Sequence, residues 1–248
     1  MEHEIAHVMP EEAPSHPGSD EQRMHTERLP KNLEAMDPYF GRFFGLMRGA
    51  LASGGSELGL AMTLFSLAVS IRAAHIVEIG RFRGLSTLAL ASALKFNDIG
   101  WDEPEQHKQR PDVRYDLLEG PQSRRLLSID PFPTEEADRL VAEAGLTSYV
   151  TFVNHASEAV QVTAPMDLLF IDGDHSYEGC KRDVLQFVPL VRPGGYFILH
   201  DYFGWYDADG RNGSPIKRVI DDIPQAHFPR LLIDTGYPSF AVFRQSPV

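Results

Sequence analysis

Two stretches of this chain end apolar runs in side chains that can hold a cation or move a proton. Residues 166–178 read M-D-L-L-F-I-D-G-D-H-S-Y-E, and residues 193–202 read P-G-G-Y-F-I-L-H-D-Y. In an open α/β sheet, parallel strands bring their C-terminal ends to a common crevice. Asp172, Asp174, His175, His200 and Asp201 are therefore candidates for one site. Carboxylates and imidazoles are ligands for divalent ions, and imidazole titrates near neutral pH. The set has the chemistry for a metal seat and for a general base.

Strand and helix signals alternate around these residues. Short apolar runs predict strands over 75–79, 126–129, 150–153, 168–171 and 196–199, and helical spacing predicts helices over 84–94, 134–144, 177–191 and 216–223. Residues 230–234 and 240–244 are expected to close the chain as an antiparallel pair. Upstream, residues 37–51 carry Tyr39, Phe40, Phe43, Phe44 and Met47 at helical spacing, a pattern that favours core packing over ligand contact. The break Ser53-Gly54-Gly55-Ser56 separates them from a second helix over 57–73. This order predicts an α/β fold: a doubly wound, mostly parallel, seven-stranded Rossmann-like sheet with helices on both faces and a C-terminal antiparallel strand.

Residues 1–30 are rich in Glu, His and Pro, which predicts a flexible or interface arm ahead of one domain over 31–248. Polar residues 95–125, with Pro104, Pro111 and Pro121, read as an insertion, more often a functional loop or lid than an idle one.

The 248 residues are 43% hydrophobic, enough to bury a substantial core, and 23 Lys+Arg against 35 Asp+Glu leave a formal charge of −12. Such a surface repels nucleic acid and anionic membranes. Cys180, the one cysteine, excludes an internal disulfide and fits a reducing compartment as a small buried thiol. The N-terminus lacks the basic-then-apolar pattern of a signal peptide, and the run from Leu58 to Ile71 is too short and interrupted to span a bilayer. A cytoplasmic protein is expected.

The first strand runs into Val77-Glu78-Ile79-Gly80-Arg81-Phe82-Arg83-Gly84. Gly80 permits a tight turn that lets backbone approach a ligand, and Gly84 permits close helix entry. Phe82 departs from the dinucleotide G-x-G-x-x-G pattern, which weakens the case for a pyrophosphate on the helix N-terminus. Asp130, at the end of the second strand, is placed to accept hydrogen bonds from a ribose, or else is a turn acid. Ser157, in His155-Ala156-Ser157, follows the third strand where an adenine edge would be read.

The order E-I-G-R-F-R-G-L-S, S-I-D-P, H-A-S, L-L-F-I-D-G-D-H-S-Y and P-G-G-Y-F-I-L-H-D-Y resembles class I S-adenosylmethionine-dependent methyltransferases across about residues 53–243. Within that superfamily it is most similar to the metal-dependent small-molecule O-methyltransferases, both the catechol and caffeoyl-coenzyme A type and the macrocin-type sugar enzymes of antibiotic pathways. The resemblance implies cofactor contacts at Glu78, Gly80, Phe82, Ser86, Asp130, Ser157 and Asp172. Glu78 and Gly80 would surround the methionine moiety, Ser86 would lie near its carboxylate, Asp130 would hold the ribose and Ser157 would lie near the adenine. An acidic pocket suits a sulfonium cation.

The resemblance also implies a divalent ion, Mg²⁺ or Mn²⁺, on Asp172 and Asp201. This chain departs from the pattern at their neighbours, which are His200 and Tyr202. His200 is either a third ligand, shifting preference toward Mn²⁺ or Fe²⁺, or a residue behind the ligands. His175, three residues past Asp172, matches the proposed base of the macrocin-type enzymes, with a helix-capping histidine as the bland alternative. Asp174 is an alternative base or a partner that orients His175. The implied activity is O-methylation of a small-molecule hydroxyl, a deoxysugar in natural-product biosynthesis or, alternatively, a catechol-like phenol, in a homo-oligomer. Trp205, Tyr206 and the 207–213 loop are expected to shape the acceptor pocket with the Phe-rich helix. A nicotinamide dehydrogenase and a non-catalytic cofactor-binding module are the rival classes.

Overall fold

The computed structural model describes residues 38–52, 58–99, 124–202, 214–234 and 239–246. The arm expected over 1–30, most of the 95–125 insertion, and the loop bearing Trp205 and Tyr206 lie outside these residues. Residues 43–248 form one compact unit; of the other, residues 1–42, only the first turn of a helix is described.

Seven strands form one sheet: β1 (His75–Ile79), β2 (Arg125–Ile129), β3 (Val150–Val153), β4 (Met166–Ile171), β5 (Val191–His200), β6 (Arg230–Asp234) and β7 (Ser239–Arg244), in the order β3-β2-β1-β4-β5-β7-β6. β1 to β5 pair in parallel, and β7 runs antiparallel between β5 and β6. This is the mostly parallel Rossmann-like sheet that the alternation predicts. Every residue of β4 is buried, which is why a central parallel strand reads as a continuous apolar run. The strand order reverses between β2-β1 and β4-β5, so the crevice of such a sheet opens beyond the C-terminal end of β1.

The helices are α1 (Pro38–Ala52), α2 (Leu58–Ser70), α3 (Leu85–Ile99), α4 (Glu135–Glu143), α5 (Tyr177–Phe187) and α6 (Pro215–Asp222). α3 packs on α2 and α4, whereas α5 packs on α6 and β4. Val77, Ile79, Leu169, Ile171, Phe197 and Leu199 form a core with Cys180 and Phe187 of α5 and Ile216, Val219 and Ile220 of α6. The two-residue period of a strand turns Glu78 to the opposite face, where Thr87 of α3 donates to it. Phe43 and Met47 of α1 are buried, the Phe43 ring centroid lying 5.1 Å from that of Phe65 of α2 with the rings tilted by 32°, in line with core packing of these two residues.

Three boundaries differ from the sequence reading by four residues or more. α3 runs on to Ile99 through Lys95 and Asn97, because the buried Asn97 side chain donates to the carbonyls of Ala68 and Ala73 at 3.2 Å. α5 stops at Phe187, where Pro189 enters a 3₁₀ turn over Val188–Leu190 and cannot extend an α-helix. β5 begins at Val191, five residues early, because Pro193-Gly194-Gly195 forms an irregularity within the strand: Gly194 donates to Gln245, and Gln245 donates back to Gly195.

Candidate active site at the sheet's C-terminal edge

The turn after β1 folds around three residues with left-handed backbone: Gly80 (φ 84°), Phe82 (φ 44°) and Gly84 (φ 86°). A Cβ on Gly80 would collide with the carbonyl of Asp172, so only glycine lets this turn lie against the end of β4. A Cβ on Gly84 would sit 2.8 Å from Ala137 of α4. Phe82 takes the middle left-handed position with its ring exposed, a strained place for an aromatic residue. The loop therefore has the backbone of a glycine-rich turn although the sequence there reads as a departure from one.

Asp130 is the peg of this turn. Its Oδ2 accepts from the backbone N–H of Arg81 at 2.9 Å and of Phe82 at 3.1 Å, and Oδ1 accepts from Phe132 N–H at 2.7 Å. The turn-acid role read from sequence is thus the one the structure shows, and the carboxylate oxygens keep spare lone pairs. Arg81, which the sequence reading passed over, is buried. Its guanidinium donates to Ser128 O at 3.0 Å and to Asn154 Oδ1, and lies 4.9 Å from the Phe152 ring centroid, tying together the ends of β1, β2 and β3.

Glu78 is fully buried. Thr87 and Ser128 each donate to its Oε2 at 2.6 Å, and among the described residues Oε1 has no hydrogen-bond partner. Burial pushes this carboxyl above the ordinary value, against hydrogen bonds from Ser128, Ser86 and Thr87 and the charge of Arg81. Ser86 is buried in the first turn of α3.

The ends of β4 and β5 bring four of the five candidates together. His175 Nε2 lies 3.3 Å from Asp172 Oδ1 and 3.0 Å from Asp201 Oδ2; His200 Nδ1 lies 3.1 Å from Asp172 Oδ1 and 3.5 Å from Asp201 Oδ1. Asp172, His175 and Asp201 each offer one ligand atom within 4.8 Å of the others, and His200 Nδ1 lies about as near the same two carboxylates. His200 is buried against Phe170. Hydrogen bonds to Asp172 and Asp201 raise the His175 imidazole to about 9, although burial opposes this. Burial pushes the Asp201 carboxyl up, but bonds from His175 and His200 and their charge outweigh it and hold it well below the usual carboxylate range. Asp201 itself is left-handed at φ 59°, the turn that aims its carboxylate back at β4.

Asp174 turns away from this cluster. It accepts from Ser176 N–H at 2.8 Å and faces Arg182 at 4.0 Å. Ser176, not His175, caps α5, its Oγ accepting from Gly179 N–H at 3.1 Å. Cys180 is buried and its thiol is pushed up to about 12 by that burial, so it stays protonated and inert.

Ser157 lies apart, in a 3₁₀ turn after β3, with its hydroxyl donating to Asp183 of α5. Asp183 is a second residue the sequence reading missed. Cys180, Asp183 and Phe187 share the inner face of α5, and an acid on an apolar stripe was the available signal.

Residues 77–202 match a protein family described as "Methyltransferase domain". No curated protein matches the chain by sequence. Among solved structures, the chain is similar to cofactor-bound Rv0187 from MTB, with 20% identity, a TM-score of 0.61, and 96% of this chain and 100% of that one covered. It is also similar to an O-methyltransferase from Bacillus cereus in complex with SAH (18%, 0.59, 91% and 96%) and to the O-methyltransferase TomG from Streptomyces achromogenes, involved in tomaymycin synthesis, in complex with SAM (19%, 0.57, 88% and 99%).

Proposed function

The chain belongs to the methyltransferase domain family, and on that premise we propose that it transfers the methyl group of S-adenosylmethionine to a hydroxyl oxygen of a small molecule. One observation carries this reading: the Gly80 turn lies directly on the end of β4, so the strand end with Asp172 and His175 abuts the loop that would take the donor. Two O-methyltransferases of the same fold hold SAM or its product SAH, which supports the choice of donor. The family match and the exposed Phe82 ring speak against a nicotinamide dehydrogenase.

In this reading Gly80, Phe82 and Ser86 border the methionine end, with Glu78 beneath them. Asp130 holds the ribose as well as the turn, and Ser157 lies at the adenine end. Asp172 and Asp201 suit Mg²⁺ or Mn²⁺ as hard carboxylate donors, with His200 as the nearby nitrogen donor and His175 kept outside the ligand set as the base. A divalent ion held by Asp172 and Asp201 would supply a seat for the acceptor oxygen and offset their charge. His175, within hydrogen-bond reach of both carboxylates, is the group placed to take the hydroxyl proton, and His200 Nδ1 steadies Asp172.

A deoxysugar hydroxyl is the acceptor we favour, on the I-D-G-D-H-S-Y segment; the likeness to an enzyme of tomaymycin synthesis supports a natural-product pathway without choosing between sugar and phenol. The test is a panel of sugar and phenol acceptors with radiolabelled S-adenosylmethionine, with and without Mg²⁺. Label should enter an acceptor, disappear with chelator and return with Mg²⁺ or Mn²⁺. Undiminished transfer after metal stripping would remove the ion, and transfer to phenols alone would replace the sugar.

A further inference from the structure

We propose that Asp183 is a positioning residue for the purine end of the donor: by accepting the Ser157 hydroxyl proton it leaves Ser157 Oγ able only to accept, and so selects a 6-amino over a 6-oxo purine. This rests on the methyl-donor reading above and adds to it a residue that touches no ligand.

Asp183 is 1% exposed, on the inner face of a helix otherwise packed with Cys180 and Phe187. A carboxylate in such a place is rare unless it is paired. Ser157 donates to its Oδ1, while Oδ2 has no hydrogen-bond partner among the described residues and lies 3.5 Å from where a Cβ on Gly173 would be. Attachment of the turn does not need this acid. Gln186, one helical turn further along α5, already donates to the carbonyls of Ser157 at 3.2 Å and Val160 at 2.9 Å and clamps the turn by its backbone. What Asp183 adds is control of the hydroxyl, and a half-satisfied buried acid is a cost that structure alone gives no reason to keep.

The turn stands in the right place for a base. β2 and β3 are neighbours, and Asp130 N–H donates to Val153 O, so a nucleoside whose ribose rests on Asp130 extends its base toward the segment after β3. A serine hydroxyl has one proton and two lone pairs. With the hydroxyl hydrogen engaged by Asp183, only acceptor capacity is left for a ligand: an exocyclic amine would satisfy it, and a carbonyl oxygen would meet it lone pair to lone pair.

The experiment is calorimetric titration of wild type, Asp183→Ala and Ser157→Ala with S-adenosylhomocysteine and with its deaminated analogue S-inosylhomocysteine, alongside thermal unfolding of each protein. Wild type should prefer the adenosyl ligand by about tenfold or more. Both substitutions should shrink that ratio at least fivefold, because the released hydroxyl in one and the absent oxygen in the other no longer discriminate. A merely structural role would weaken both ligands equally and leave the ratio intact; that result in Asp183→Ala overturns the proposal. Should Asp183→Ala fail to fold, Ser157→Ala decides, and a wild-type ratio there overturns it too. Failure of wild type to bind either ligand would sink the donor reading itself, an outcome distinct from tight binding without discrimination.

Discussion

His175 Nε2 sits between two carboxylate oxygens, and its proton is held to about pH 9 instead of its ordinary 6.5. A raised imidazole contributes stability that is fully present below 6.5 and lost as pH rises through 9. With the His175 side chain 39% exposed, solvent screening keeps the contribution small. Metal-free protein should therefore lose melting temperature between pH 6.5 and 9, and His175→Ala should flatten that slope; equal slopes in scanning fluorimetry would refute the assignment. Glu78 gives a second test of the same sign, from a different cause. Its folded carboxyl is raised by burial, so the folded state favours the neutral acid, and stability falls as pH rises above the unfolded value of 4.5. Glu78→Gln should melt at least as high as wild type at pH 8, by about 2–4 °C if the gain is ~1 kcal/mol; a lower melting point would mean that the charged form is the one this site stabilises. The clustering of Asp172, His175, His200 and Asp201 was legible because all four lie just past apolar runs, where a parallel sheet must deliver them. Asp183 was legible only as an acid on an apolar stripe and Arg81 not at all, since their partners at Ser157, Ser128 and Asn154 come from elements that only the tertiary fold brings near.

At the scale of elements, alternating apolar and helical periods marked each strand and helix, whereas their ends depended on neighbours. Pro193-Gly194-Gly195 has turn chemistry, yet it lies within β5 because Gln245 supplies the missing ladder bonds. The polar end of α3 stayed helical because Asn97 found two carbonyls outside its own helix. Helix entry is likewise set by single residues. Ser176 caps α5 directly after the Asp172–His175 loop, so Ser176→Ala should cost about 1 kcal/mol in chemical denaturation. If the cap also holds that loop in register, the variant should lose metal affinity in titration; unchanged stability would mean that the cap bond adds nothing beyond water.

At the scale of the whole molecule, the ends of β1, β2 and β4 converge on one crevice, and the bonds that shape it run between strands: Asp130 to the β1 turn, Arg81 to β2 and beyond β3, His200 to Asp172. A ligand seated there touches segments that separate on unfolding, so its binding energy adds directly to the stability of the fold. S-adenosylhomocysteine at a thousand times its dissociation constant should add about 4 kcal/mol. For a domain of this size that is roughly an 8–16 °C rise in melting temperature. The rise should grow with the logarithm of ligand concentration, and the dinucleotide NAD should produce none. The formal charge of −12 sharpens the expectation, because an acidic molecule repels a dinucleotide's phosphates, whereas S-adenosylhomocysteine carries none. A melting temperature that NAD raises and S-adenosylhomocysteine leaves unmoved would place a different ligand in the crevice beyond Gly80.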